Sequence, residues 1–219
     1  LSDARVRLLV AIVLLGLSAT SGSLDAFAFI QDQVFVANQT GNLVVVALDV
    51  AGVGFAGAVG ASLVALGGFV LGTVSSIALR RSRVGGIRSR HILLLVELLI
   101  LLVTIGLVAL GVRGYWLIAV LAVSQGVQGV IFTRLIGQGF RTVAITGSMV
   151  DVARMGSVGA WGKASLAACP PIGYGIGTVS GALVDQHIGE IWCLVLATLF
   201  CLGSAACIRE LELAGVDVH

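Results

Sequence analysis

The stretch Val34–Asn42, VFVANQTGN, sets two Asn, a Gln, a Thr and a Gly between two apolar runs. Its surroundings are apolar because the whole chain is: 58% of 219 residues are hydrophobic and 11% charged, against about 45–50% and about 25% in soluble domains. With a mean hydropathy of +1.10, the chain reads as one all-α polytopic membrane domain. So much hydrogen-bonding capacity inside such a chain must be satisfied by protein or by a water-lined cavity, because hydrocarbon offers it nothing.

Six stretches are long and apolar enough for a bilayer core, which needs about 20 residues per helix: 6–26, 58–79, 92–111, 115–132, 164–184 and 190–208. The first is too long for a signal-peptide core and is expected to stay as a membrane helix. Two stretches, 33–57 and 133–162, are left over and carry ANQTGN and AITGSMVDVARMG. If both dip in and return, all 13 Lys and Arg except Arg113 fall on one side, whereas eight full crossings split them almost evenly. Basic loops collect in the cytoplasm, so six crossings with both termini cytoplasmic are expected. The segment GFVLGTVSSIAL (68–79) matches GYGIGTVSGALV (173–184), and TGN (40–42) matches TGS (146–148). The halves, about 6–111 and 115–208, therefore read as a 3+3 inverted repeat of the kind built around a midplane binding site in secondary transporters.

The two polar elements are the expected site. Thr40 or Asn42, with Gly41 at the tight turn and Asn38 before it, would cap one half-helix, and Thr146 or Ser148, with Gly147, would cap the other. Two half-helix N-termini would then meet near the midplane and offer unpaired amides to a polar solute, an anion most of all. Gln125 and Gln128 lie near the repeat positions of Ser21 and Asp25 and would line the same cavity. Carboxylates in membranes are costly and functional, which makes Asp49 and Asp151 the leading ion-coupling candidates. Asp25 is placed at the outer end of the first span as a cap or gate, and Asp151 has Arg141 and Arg154 as rival structural partners. Glu97 reads as a snorkelling partner of Arg88 or Arg90.

Other chemistries find little support. GSVGAWGKAS departs from a phosphate-binding loop because Gly156 lies one residue too far from Gly162–Lys163 and Ala164 follows the lysine. Cys169, Cys193, Cys201 and Cys207 show no metal or disulfide spacing, and His91, His187 and His219 lie at loops or the end. No enzyme, cofactor, metal or nucleic acid is expected. The expected partners are the lipid bilayer, a small solute and further copies of the chain in a homo-oligomer.

The segments LDAFAF with VFVANQTGN, and FRTVAITGSMVDVA, resemble the signature regions of the YoaK-like family of uncharacterised bacterial membrane proteins. Gln39 stands where that family has methionine, and Thr142 alone remains of a threonine pair. The resemblance spans nearly the whole chain and implies a six-span protein of the bacterial inner membrane, with transport as its expected role and no substrate indicated. The reading carried forward is a small-solute transporter or channel, proton-coupled through its acids; the alternative is a membrane scaffold or sensor in which the TG elements only lock helices together.

Overall fold

The computed structural model describes residues 1–54, 56–81, 89–131 and 145–216. These form eight helices, and no strand occurs among them: α1 (Asp3–Asp32), α2 (Gln39–Val50), α3 (Ala56–Arg81), α4 (Ser89–Ala109), α5 (Tyr115–Ile131), α6 (Ile145–Ser157), α7 (Trp161–His187) and α8 (Glu190–Leu213). Four of them, Asp3–Asp32, Gly57–Leu79, Ile92–Ala109 and Glu190–Leu213, are long and apolar enough to cross a bilayer. The molecule is a helical membrane protein, and its surface agrees. On α3 Leu63, Leu71 and Val74 are exposed, on α4 Leu95, Leu99 and Leu102, and on α7 Ile172, Ile176, Val179 and Leu183, while Ser18, Thr20, Ser21, Ser23 and Asp25 of α1 are buried. Apolar stripes outside with polar groups inside suit a hydrocarbon solvent. Trp116, Trp161 and Trp192 are exposed at the first turns of α5, α7 and α8, where amphipathic rings belong at a membrane surface.

Ser2 caps α1 by accepting from the Arg5 amide at 3.4 Å, with Asp3 in the first turn against the helix dipole. The helix runs past the expected boundary and ends where Gln33 turns left-handed at φ 54. α7 passes through Pro170 and Pro171 without ending, which neighbouring helices make tolerable in membranes.

Glycines set the tightest contacts. A Cβ on Gly173 or Gly177 would strike the Leu15 or Ala19 carbonyl oxygen, and one on Gly22 would strike that of Tyr174. Likewise a Cβ on Gly68 or Gly72 would meet the Ala119 or Val123 carbonyl, and one on Gly126 that of Phe69. The register rises together in each case, so α1 runs parallel to α7 and α3 parallel to α5. α8 packs antiparallel to α1, with Thr20 donating to the Ala197 carbonyl at 3.3 Å and Gly16 facing Ser204. α4 lies against α5 and α8, so that α1, α5, α4 and α8 close a ring, with α7 and α3 flanking it.

The helix ends sort into two groups. At one end the Arg5–Glu210 ion pair joins the start of α1 to the end of α8, and Arg7 lies beside Gly162 at the start of α7. At the other, Gln31 reaches Asp185 at 3.4 Å, Arg113 pairs with Glu190, and the Tyr115 hydroxyl sits against Gly60. The end of α1 and the start of α3 therefore share one face. α2 between them has 12 residues, about 18 Å of helix, and α6 has 13, both short of a core of about 30 Å.

Candidate functional site

The opening stretch does not cap a helix with the residues expected. α2 begins at Gln39, so Thr40, Gly41 and Asn42 lie inside its first turn, and Asn38 at the cap position makes no side-chain capping bond. The donors are satisfied from elsewhere. After Gln33 the chain doubles back beside α1, where Phe35 stacks on Phe29 with centroids 5.0 Å apart. There the Asp25 carboxylate accepts from the amides of Val36 and Ala37, both at 2.7 Å, from the amide of Asn38 at 3.0 Å and from the Tyr174 hydroxyl at 2.7 Å. Asn42, fully buried, accepts from the Phe35 amide at 3.1 Å and donates to its carbonyl at 2.6 Å, and Gln39 links Asn42 to the Val36 carbonyl. Gly41 is required here because a Cβ would meet the Phe35 ring at 2.7 Å.

Asp25 thus does not end α1. It is 2% exposed, within a helix that continues to Asp32, and it holds the returning segment to α1 and α7. The amides just before α2, those of Val36, Ala37 and Asn38, already have an anionic acceptor supplied by the chain. Thr40 and Asn38 are exposed and Asp49 is half-buried on α2.

α6 begins at Ile145, which also puts Thr146, Gly147 and Ser148 within a first turn rather than before it. Thr146 is exposed, Gly147 has open space around it, and Ser148 is buried. α2 packs on α3 and α6 on α7, so the two TG elements rest on different helices. Asp151 pairs with Arg154 at 3.3 Å on the exposed side of α6, the structural role held open for it; Arg141 lies outside the described residues, as do Thr142 and most of the loop from Arg80 to His91.

The residues that do converge are those of the α1–α5 crossing. Ser21 donates to Gln125 Oε1 at 2.6 Å, Gln128 Nε2 donates to Ser21 Oγ at 3.0 Å and to the Leu17 carbonyl at 2.7 Å, and the two glutamines meet at 3.3 Å. All three side chains, with Ser18 and Ser124 beside them in sequence, are fully buried. Ser18, Ser21 and Asp25 follow helical spacing, so one face of α1 carries the cluster into the Asp25 cradle. Two carboxamides and a hydroxyl present donors and acceptors together, chemistry suited to a neutral polar molecule.

Glu97 does not snorkel. It is fully buried, and the only polar group against its carboxylate among the described residues is the Cys201 thiol of α8. Tyr174, the Glu97–Cys201 contact and the Asn42–Phe35 pairing were not anticipated. Tyr174 could have been noticed as the one aromatic side chain within the glycine ladder of α7.

Fold and apolar surface together define a helical membrane protein. The chain belongs to the family described as Protein of unknown function (DUF1275), whose model matches residues 13–207; it is an uncharacterised family, as the resemblance implied. No curated protein and no solved structure matches the chain.

Proposed function

We propose that the protein is a small-solute membrane transporter with six crossings, α1, α3, α4, α5, α7 and α8, in which α2 and α6 enter and return on the face they came from. The shared face of the α1 end and the α3 start supports this for α2. The α1–α5 crossing, antiparallel because Ser21 meets Gln125 and Leu17 meets Gln128, and the parallel α1–α7 pair support the same for α6. Exchanging α1–α4 with α5–α8 maps the packing onto itself: α1 on α7 becomes α5 on α3, α1 on α8 becomes α5 on α4, and α2 on α3 becomes α6 on α7. Even the glycine collisions correspond, with Gly22 on Tyr174 and Thr178 matched by Gly126 on Phe69 and Thr73. That is the signature expected of an inverted repeat. Arg5, Arg7, Lys163 and Arg209 belong to one face and Arg113 to the other, which supports cytoplasmic termini in a bacterial inner membrane.

Single cysteines at Val53 and Gln186, in a background lacking the native four, are expected to react with an impermeant reagent from the same side, and one at Ser157 from the opposite side. Opposite labelling of Val53 and Gln186 would mean that α2 crosses.

The observation that carries the functional reading is the buried Ser21–Gln125–Gln128 cluster where equivalent helices of the two halves cross. Polar groups there face the bundle interior, as groups on a solute path do. The closed packing represents the occluded form, and the solute class favoured is neutral and polar, since Asp25 already occupies the amides of the returning segment. Proteoliposomes screened with small polyols, amides and zwitterions are expected to take up at least one solute faster than protein-free vesicles. Gln128→Leu, which removes two donated bonds of about 1 kcal/mol each, is expected to slow that uptake about tenfold or more. The second reading, a scaffold, draws on the same fact that the cluster's amides and the Ser21 hydroxyl satisfy one another. Under it no solute crosses and Gln128→Leu changes stability alone.

A further inference from the structure

We propose that Glu97 is a proton-binding site in the membrane interior, loaded and unloaded as the transporter cycles. The 104-residue interval that separates Ser21 from Gln125 also separates Glu97 from Cys201. Under the repeat reading proposed above, each pair consists of equivalent residues facing one another, so both lie on the pseudo-two-fold axis. The α1–α5 wall of the ring carries one pair and the α4–α8 wall the other. Glu97 is therefore the acid placed at the middle of the fold, where an inverted repeat builds its site, whereas Asp25 lies off the axis with its oxygens engaged.

Both Glu97 oxygens are completely buried, and among the described residues no donor other than the Cys201 thiol reaches them. A carboxylate in that state is costly unless something binds it. The surroundings narrow the ligand. No group of three or more His, Cys, Asp or Glu able to hold a metal ion occurs among the described residues, and α8 offers only the Cys201 thiol at this level. Between 57 and 79, α3 has no acid or base; α5 has only Tyr115, at its start; the remaining charged groups of α8 (Glu190, Arg209, Glu210 and Glu212) lie in its end turns. A proton requires no further ligands: it passes from water at the membrane face to one carboxylate oxygen, giving a neutral carboxyl group, and leaves by the reverse step.

Two measurements on the full chain in nanodiscs test this without any solute. Infrared spectra of the wild type in neutral buffer are expected to contain a protonated-carboxyl carbonyl band that shifts in deuterium oxide, fades as the buffer is made alkaline and is lost in Glu97→Gln. Dicyclohexylcarbodiimide, which reacts with carboxyl groups in apolar surroundings, is expected to modify Glu97 of the wild type, as read by peptide mass, and to do so less in alkaline buffer. The second readout decides the matter if Glu97→Gln fails to fold. A band unchanged by the substitution, or a Glu97 left unmodified while other carboxyls react, overturns the proposal. Failure of the transport reading shows itself separately, as proteoliposomes that take up no solute although Glu97 binds its proton.

Discussion

Gly177→Ala is expected to lower stability by about 3 kcal/mol, the upper end for overpacking a close-fitting core. The new methyl group lands on the Ala19 carbonyl oxygen and carbon, backbone atoms that no rotamer change can move. α1 must then separate from α7, and Gly22 and Gly173 lose their own backbone contacts with the partner helix. Gly175→Ala on the same helix is the control: nothing lies within 4 Å of its added Cβ, so the change should be neutral or mildly stabilising through helix propensity, by up to about 1 kcal/mol. A Cβ on Gly72 meets the Val123 carbonyl in the same way and one on Gly67 meets nothing within 4 Å, so Gly72→Ala should match Gly177→Ala and Gly67→Ala should match the control. Unfolding in mixed detergent reads all four, and equal effects at Gly177 and Gly175 would contradict the packing described. Small residues at the seam let helices approach without a hydrophobic drive between them.

Asp25→Ala is expected to cost about 4 kcal/mol or more, because it leaves three backbone amides and the Tyr174 hydroxyl without an acceptor, and a buried donor left unpaired costs about 1–3 kcal/mol. Tyr174→Phe removes one donor from a carboxylate that keeps three and should cost about 2 kcal/mol. The location of the loss distinguishes these changes. Hydrogen exchange at Val36, Ala37 and Asn38 should accelerate strongly in Asp25→Ala and weakly in Tyr174→Phe, with the α1–α7 seam keeping its protection in the latter. Unchanged exchange in Asp25→Ala would remove the carboxylate from its role as anchor of the returning segment.

The helical membrane class was legible because hydrocarbon imposes one requirement on every residue of a span, and a run such as Ile92–Ala109 displays it openly. Helix ends were less legible: α1 outran its expected end at residue 26, with Phe27 and Ala28 buried and Phe29 stacked on Phe35 of the returning segment, contacts that composition does not reveal. The polar stretch was correctly read as backbone that protein must satisfy, but its partner was assigned locally. Thr40 and Asn42 are good capping residues in isolation, but α2 starts at Gln39 and the amides before it, 36 to 38, are held by Asp25, brought near by the reversal at Gln33, a tertiary event that no local propensity encodes. Gln125 and Gln128 were singled out by comparing the halves, and they meet Ser21 and each other in the buried interior. Glu97 was misread because its neighbours in sequence, the arginines of the preceding loop, suggested a surface role, and only the packing of α8 puts Cys201 against it.

The transport claim is tested most directly at the α1–α5 crossing itself. A cysteine at Ser21, in a chain whose four native cysteines are replaced, sits in the cluster whose opening to water a transporter requires and a scaffold does not. Reconstituted in vesicles of known orientation, Ser21→Cys is expected to react with an impermeant thiol reagent added to either side, much faster than a cysteine at Leu14, which is equally buried in the apolar core. Modification of Ser21→Cys from neither face, at a rate no greater than that of Leu14→Cys, would contradict the transporter account.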